Sequence, residues 1–412
     1  MKKIYGYPEF NDKGLEEIKK QMQWACDAGF YRDLAWEIGT VSNGLPKSIY
    51  QDFVGSEKVL GNSKSYWRIY SMTKPLVSVV ALALIEKGKL RLFDHVGRFL
   101  PNLLKPKILV TTNQGDKLIE SNSPMTIFHL LNHTAGLTYG FLPGEVSALY
   151  RNAGIHYDGK ISLEDEVKRI SEIPIVDEPG NNWYYSVSTD VLAYILELVA
   201  GMPINEILNK YLFDIIGMNS TSFSVSSEQE HLLIPCYGGK DIFDPEVGLR
   251  VSDIFSNNPK LELIRNTISY PHNSNGKFRR GGHGLFSTLS DYGLFAALML
   301  NNAKGVLNRK TMEFMLCDHT SNKMKPLGIN DLIYRPTEGL NGYGFGLGFN
   351  IKLENNQSFN LGSKGEFGWG GAAETRFFID PKENFYAVFM AQNLETPGAS
   401  ALFKQMIYSA LI

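Results

Sequence analysis

The order of apolar and polar positions divides the chain into two strand-bearing ends and a helical middle. Near the amino terminus, apolar residues recur at helical spacing over residues 13–28, with Asn11 as a candidate cap. The segments LAWEIGTV and SIYQDFVG then alternate as two strands, joined by a turn at Asn43 and Gly44. The first part of the chain therefore predicts a helix followed by a hairpin.

Helical patterns and loops dominate residues 95–270, and strands return afterwards. We predict helices at MTIFHLLNH, at SVSTDVLAYILELVAG with Ser186 or Ser188 as its cap, and at SDYGLFAALMLN. YGFGLGFNI, TRFFID and FYAVFMAQ read as strands, the last two flanking the turn DPKEN, and ASALFKQMIYSALI as a closing helix. The fold class expected is α/β plus all-α. Residues 1–94 and 275–412 form one discontinuous α/β domain, and residues 95–274 form an inserted helical domain.

The segment RIYSMTKPLVSVVALAL, residues 68–84, places a serine and a lysine at the start of a nearly all-apolar helix. Pro75 is tolerated in the first turn, and a helix that is apolar all round is buried. Ser71 and Lys74 are three apart and share one face, so a buried amine beside the hydroxyl could activate it as a nucleophile. The alternative is a helix cap followed by a lysine that reaches solvent. A second S-x-x-K, at Ser274 and Lys277, falls in a polar stretch that reads as a surface loop.

Composition and charge exclude several classes of protein. The chain has 412 residues, 43% hydrophobic and 20% charged, which suits one large or two medium globular domains. A net charge of −2 creates no general attraction to nucleic acid or to an anionic membrane. The amino terminus lacks the apolar region of a secretory signal, and no apolar run is long enough to span a bilayer. Cys26, Cys236 and Cys317 lie far apart and suggest no disulfide framework, so a cytoplasmic location is expected.

The histidines do not predict a metal centre. His129 and His133 are four apart, but Leu130 takes the place of the glutamate that the zinc-protease pattern needs. We therefore predict no metal and read the pair as capping or core residues. His283, in GGHGLF, is a possible partner for a serine, although its glycine neighbours fit a close backbone approach equally well.

Two further segments carry candidate chemistry. In PGNNWYYSVSTD, Tyr184 or Tyr185 would stand at a helix entrance, where a phenol beside a protonated lysine can share its proton. The alternative is a core tyrosine whose hydroxyl is satisfied. In GEFGWGGAAETRFF, glycines surround Trp369 just before a strand, so a backbone N–H on that strand could form half of an oxyanion hole. The alternative is a bulge or tight turn without a ligand.

In order and spacing, these segments resemble the serine β-lactamase-like superfamily of penicillin-recognising enzymes, and most of all its class C branch and the family VIII carboxylesterases. RIYSMTKPLVSVVALALIEKGKLRLFDHVGRFLP resembles the nucleophile helix of that family and the segment after it. MTIFHLLNHTAGL is similar to H-L-L-x-H-T-S-G-L, EPGNNWYYSVSTD to P-G-x-x-x-x-Y-S, and GGHGLFSTLSDYGLF to G-G-x-G-L-x-S-T-x-x-D-Y. EFGWGGAAETRFFIDP stands where other members carry K-T-G or H-x-G.

The resemblance implies a β-lactamase- and penicillin-binding-protein-like fold, with an antiparallel sheet flanked by helices and a helical insertion. It also implies that Ser71 is acylated and that Lys74 and Tyr185 share its proton, with the base left open between them. Tyr185 rather than Tyr184 falls on the motif, because it lies five residues after Pro-Gly. The N–H groups of Ser71 and Ala372 would form the oxyanion hole. The implied lining of the substrate cleft is Trp369, Gly370 and Gly371.

The sequence departs from the lactamase pattern in three places. Val187 replaces the asparagine that would hydrogen-bond a substrate amide, and Trp369 replaces a cationic or imidazole group that would hold a carboxylate. Glu374 stands where a small residue is usual, and would either put a charge near the cleft or point into solvent.

The resemblance and its departures favour a serine carboxylesterase that acts on small esters without a cofactor. The alternatives are a β-lactamase or D-amino-acid peptidase, an acyltransferase, and a non-catalytic binding protein. A small ester or amide is the expected partner.

Overall fold

The computed structural model describes most of the chain. The described residues are 7–56, 61–238, 261–264, 269–273, 276–325, 327, 340–354, 358, 360–394 and 398–412. Ser274, the serine of the second S-x-x-K, lies outside them.

Both ends of the chain build one antiparallel sheet, as the pattern predicted. Its seven strands lie in the order β2-β1-β11-β10-β9-β8-β7 among the described residues. They are β1 (Asp33–Ser42), β2 (Leu45–Gly55), β7 (Tyr343–Phe345), β8 (Asn350–Lys352), β9 (Phe367–Gly370), β10 (Arg376–Asp380) and β11 (Phe385–Met390). The first strand of the chain pairs with the last, Trp36 lying opposite Phe389, so the sheet cannot form until the two ends meet.

Helices cover both faces of the sheet because its side chains alternate between two apolar clusters. On β10, Phe377 faces one cluster and Phe378 the other. The terminal helices α1 (Asp12–Asp27) and α10 (Ala399–Ala410) pack together against the face that carries Phe378. The opposite face packs on α8 (Leu289–Leu300), which is buried on nearly every side. The Asn11 side chain caps α1, as predicted, by accepting a hydrogen bond from the Lys13 N–H at 3.0 Å.

Helices also dominate the middle of the chain. They are α2 (Thr73–Glu86), α3 (Ile127–Leu131), α4 (Glu145–Asn152), α5 (Leu163–Glu172), α6 (Ser188–Ala200), α7 (Ile204–Ile216) and, after α8, α9 (Arg309–Met315). α2 packs against α6 and α7, so the helix that carries Lys74 joins the sheet-bearing ends to the helical middle. Within the described part of the chain, no single helix is long and apolar enough to cross a membrane. The bent pair α6 and α7, at 82°, passes that test by length and composition alone.

Several local predictions were wrong. YGFGLGFNI is not one strand but a hairpin of β7 and β8, because Gly348 turns the chain at φ 99° and the Gly346 N–H donates to the Phe349 carbonyl. α6 is capped by Val187, without a side-chain hydrogen bond, instead of by Ser186 or Ser188. The segment expected to be helical also contains a two-stranded ribbon, β4 (Lys107–Thr112) and β5 (Gly115–Glu120).

Two short strands connect the segments on either side of the predicted insertion. β3 (Trp67–Arg68) pairs with β6 (Phe286–Ser287), which brings the chain just before Ser71 beside the G-G-H-G segment. The division of the chain at residues 94 and 274 stays a prediction, and residues 274–275 lie outside the described part.

Candidate active site

Ser71 lies in a tight turn that runs directly into the buried helix α2. Residues Tyr70–Met72 form one 3-10 turn, and α2 begins at Thr73, so Pro75 falls within the first turn. Tyr70 adopts φ 44°, a left-handed conformation that is costly for a bulky residue. Its ring is buried against Tyr270 at 4.8 Å between centroids, and this packing holds the turn. Within this turn Ser71 is half-buried, whereas Tyr70 and Met72 on either side of it are buried. Ser71 is therefore the residue of the turn that stays accessible.

Two side chains donate hydrogen bonds to the Ser71 hydroxyl. Lys74 Nζ lies 3.0 Å from Ser71 Oγ, and Tyr185 OH lies 2.5 Å from the same atom. Lys74 is only 1% exposed, so the lysine does not reach solvent as the alternative interpretation required. Its Nζ also stands 4.6 Å from the centre of the Tyr185 ring, close enough for a cation–π interaction. The three groups that the sequence predicted as a unit are therefore in mutual contact.

The structure brings Tyr185, and not Tyr184, to Ser71. Tyr184 turns away and donates to Asp177 Oδ2 at 3.1 Å. Partial burial and the Asp177 carboxylate raise the pKa of Tyr184 to about 12. The two neighbouring tyrosines thus differ in every contact that bears on chemistry, which makes Tyr184 a natural control for Tyr185.

The glycine-rich segment approaches the Ser71 turn from the edge of the sheet. A Cβ on Gly371 would lie 2.5 Å from the Ile69 carbonyl oxygen and 2.2 Å from Thr375 Oγ1, so only glycine permits this contact. Gly370 ends β9, and Ala372 follows Gly371 as a half-buried residue. The structure thus brings the backbone near Ala372 to the chain just before Ser71, while an oxyanion role for the two N–H groups stays a prediction.

Trp369 contacts the phenol of Tyr185, whereas its role in lining a substrate cleft stays a prediction. Its ring centre lies 5.4 Å from that of Tyr185, and its Nε1–H points to Tyr185 OH at the long distance of 3.4 Å. The indole N–H is therefore directed at the phenol oxygen. Other rings also enclose Tyr185: His133, Tyr139 and Trp183.

His129, in α3, and His133, two residues after its end, both have structural contacts. His129 Nδ1 accepts from the Thr126 N–H at 3.3 Å and completes a capping box on α3. His133 packs on the Tyr185 ring, and its Nδ1 lies 3.2 Å from Ser186 Oγ. Burial and the charge of Lys74 hold the pKa of His133 well below its usual range, which keeps the imidazole neutral.

Two residues that the sequence placed at the cleft face elsewhere. Val187 is fully buried and presents no surface to a substrate. Glu374, in a left-handed turn at φ 63°, is also buried, so neither of the two expected orientations was right. Its carboxylate accepts from Tyr31 OH and, at 2.8 Å, from the Ser400 N–H at the start of α10. The charge holds the terminal helix to the sheet.

His283 does not pair with Ser71, and the sequence missed the group it joins. Its ring meets His156 edge-on at 4.8 Å, next to the buried carboxylate of Asp190. The neighbouring Gly282 carbonyl accepts a hydrogen bond from Lys74 Nζ at 2.6 Å. The glycines of G-G-H-G did indicate a close backbone approach, because a Cβ on Gly281 would lie 2.3 Å from the Thr189 carbonyl oxygen. Nothing near Asp190 or His156 in the sequence marked them.

Comparison with known proteins identifies the family. The family model named Beta-lactamase matches residues 55–407, so the chain belongs to that family. Esterase EstB of Burkholderia gladioli is 29% identical over 235 residues, covering 55% of this chain and 54% of that protein. Monacolin J acid methylbutanoyltransferase of Aspergillus terreus is 24% identical over 324 residues, covering 76% and 74%. The structure of EstCE1, described as a hydrolase with promiscuous acyltransferase activity, superposes with a TM-score of 0.76 at 23% identity. The match covers 97% of this chain and 98% of that one. The expected β-lactamase-like fold is confirmed.

The contacts at Ser71 predict how two substitutions change turnover of a nitrophenyl ester. Lys74→Ala and Tyr185→Phe should each lower kcat by about 10²–10⁴-fold with little change in KM. Each substitution removes one of the two groups that can accept the Ser71 proton during attack. The double variant should lose much less than the product of the two effects, since the groups act as one unit. Tyr184→Phe serves as the control. If that change is the damaging one, Tyr185 has been assigned the wrong role.

Proposed function

We propose that this protein is a serine carboxylesterase that cleaves small esters through an acyl-enzyme on Ser71. The observation that carries the proposal is the pair of hydrogen bonds to Ser71 Oγ, at 3.0 Å from Lys74 Nζ and 2.5 Å from Tyr185 OH. A hydroxyl needs a nearby base to become a nucleophile, and both candidate bases lie within the distance that proton transfer requires. A protein that only binds ligands would have no physical need for this buried arrangement, which argues against that alternative.

The reaction would proceed in two steps. Ser71 Oγ attacks the ester carbonyl while its proton passes to the Lys74–Tyr185 pair, and the same pair returns a proton to the departing alcohol. Water then takes the place of the alcohol and attacks the acyl carbon while it loses a proton to the pair. The pair returns that proton to Ser71 Oγ as the bond between Oγ and the acyl carbon breaks, which releases the carboxylic acid. The N–H groups of Ser71 and Ala372 would stabilise the negative oxygen of each tetrahedral intermediate. No cofactor enters these steps.

Two features favour esters over β-lactams or D-amino-acid peptides. Val187 stands where the lactamase pattern has an asparagine; it is buried and has no polar group to pair with a substrate amide. The Trp369 N–H is directed at Tyr185 OH and carries no charge for a carboxylate. An ester without an amide or a carboxylate needs neither of these missing contacts.

We place the enzyme in the cytoplasm, where its three free thiols would stay reduced.

The first test is covalent labelling. After brief exposure to an activated ester, intact mass spectrometry should show one added acyl group on the native protein and none on Ser71→Ala. Circular dichroism should show that the variant keeps its fold. Labelling that persists in Ser71→Ala would assign the nucleophile to another residue, and peptide mapping would show whether that residue is Ser274.

The second test compares substrate classes. We expect kcat/KM for short-chain esters, including one with a non-activated alcohol, to exceed that for a chromogenic cephalosporin. An unpaired buried amide costs about 1–3 kcal/mol, or roughly 5- to 150-fold in rate if it is felt in the transition state. Equal or faster turnover of the cephalosporin would put the β-lactamase function first.

Acyl transfer is the second candidate, because a relative that matches three quarters of the chain is a methylbutanoyltransferase. An alcohol would then replace water in the second step, with no other change in the residues used. Mass spectrometry of products formed with increasing concentrations of an alcohol acceptor separates the two functions. An esterase should yield mainly free acid at low acceptor concentration, whereas an acyltransferase should yield mainly the new ester.

A further inference from the structure

One glycine peptide joins Lys74 to a buried carboxylate. The Gly282 carbonyl accepts a hydrogen bond from Lys74 Nζ at 2.6 Å. The N–H of the same residue donates to Asp190 Oδ1 at 2.9 Å. Lys74 is 1% exposed and Asp190 is fully buried, so both contacts lie out of water. The position of Lys74 Nζ therefore depends on where Asp190 holds this segment.

The space around Gly282 is too small for the side chain of any other residue type. A Cβ on Gly282 would lie 2.5 Å from Asp190 Oδ2 and 2.9 Å from Tyr139 OH. Asp190 is the third residue of α6, the helix that begins three residues after Tyr185. One helix entrance thus supplies both the phenol that contacts Ser71 and the carboxylate that anchors the segment behind Lys74.

Among the described residues, Asp190 has no arginine or lysine side chain in direct contact with its carboxylate, whereas Glu166 has one. Arg280 makes a two-point ion pair with Glu166, with distances of 3.1 Å and 2.8 Å. His156 Nε2 lies 3.3 Å from Glu166 and 3.5 Å from Asp190. The titratable groups around Lys74 and Asp190 come from five segments: His133 and Tyr139, His156, Glu166, Tyr185, and Arg280 with His283.

The charges nearby keep Asp190 ionised. Burial alone would raise the pKa of this carboxyl, but the neighbouring His156 and the charge of Lys74 hold it well below its usual range. Burial also holds the pKa of His283 far below its usual range, so that imidazole stays neutral. Asp190 thus supplies a fixed negative charge across the Gly282 peptide from Lys74 Nζ.

A metal ion is a poorer explanation of the same cluster. The ligand atoms of His156, Asp190 and His283 do lie within 4.8 Å of one another. However, Arg280 already balances Glu166, and Lys74 faces Asp190 through the glycine peptide. A divalent cation would add charge that no described neighbour offsets, among side chains that are all buried.

We propose that Asp190 is a positioning residue for Lys74. It fixes the Gly282 carbonyl that orients the amine, and it places a buried carboxylate behind that peptide. The consequence for catalysis rests on the proposed acyl-enzyme at Ser71, whereas the effect on Lys74 itself does not.

The test is Asp190→Asn, which keeps an oxygen for the Gly282 N–H and removes the charge. With ¹³Cε-labelled lysine, and Lys74 assigned through Lys74→Arg, NMR should show its titration midpoint moving down by about one pH unit or more. The sign follows because removing a neighbouring negative charge disfavours the ammonium. The limb of the kcat/KM profile that reports Lys74 should move to lower pH by the same amount. Asp190→Ala, which also frees the Gly282 N–H, should lower kcat by a further ~10–100-fold.

Asp291→Asn is the matched control. Asp291 is also the buried third residue of an apolar helix, where it accepts from the Ser220 N–H and from Thr221 Oγ1, each at 2.8 Å. Its substitution should leave the Lys74 titration unchanged. A midpoint that is the same in native protein and in folded Asp190→Asn would overturn the proposal.

Two further results keep the test decisive. If Asp190→Asn does not fold, Gly282→Ala keeps both charges and displaces the peptide, so kcat should fall at least about 10-fold with KM little changed. An unchanged kcat would contradict the positioning role. If native protein is never acylated by esters, the proposed function fails, and the NMR titration still decides whether Asp190 acts on Lys74.

Discussion

The structure around the site depends on keeping a lysine amine inside an apolar core. A buried amine is strongly unfavourable unless hydrogen-bond acceptors or opposite charges surround it. Lys74 finds Ser71 Oγ one turn away, but its other contact, the Gly282 carbonyl, lies 208 residues further along the chain. The rings of Tyr139 and Tyr185 lie on other sides, at 5.2 Å and 4.6 Å from Nζ. The contacts that surround the Lys74 amine therefore join the sheet-bearing ends of the chain to the helical middle.

Close backbone approach is the second requirement, and glycines provide it. Gly371 lets the end of β9 pass against the Ile69 carbonyl, and Gly282 lets its segment pass against Asp190. Larger residues at either position would push a main chain away from Ser71 or Lys74. The left-handed Tyr70 adds strain at the same place, and its buried ring holds it there. The geometry at Ser71 is thus fixed by packing on three sides rather than by the S-x-x-K spacing alone.

Features set by neighbours in sequence were predictable from the residue pattern, whereas most contacts between distant residues were not. The sheet formed by both chain ends and the contact of Tyr185 with Ser71 are exceptions. The first helix, the first hairpin and the turn between β10 and β11 follow from short-range periodicity and turn residues. The pairing of Ser71 with Lys74 follows from helical spacing. By contrast, the hydrogen bond between Asp190 and Gly282 joins residues 92 apart. The glycines around Gly282 indicated a close backbone approach, but nothing in the sequence identified Asp190 as the partner. The pattern of YGFGLGFNI also suited one strand until the left-handed Gly348 divided it.

The same distinction explains why charge near the glycine-rich segment was misjudged. From sequence, Glu374 lies two residues from Ala372 and was expected either to put a charge near the cleft or to point into solvent. In the fold, its side chain passes to the other side of the sheet, where Tyr31 and the first turn of α10 bind it. Its place at a helix N-terminus stabilises a carboxylate, because unpaired N–H groups and the helix dipole favour negative charge there. With Glu374 bound to α10 and the Trp369 N–H directed at Tyr185, two polar groups that the sequence placed beside the substrate act within the protein. Both contacts therefore help to hold the framework around Ser71.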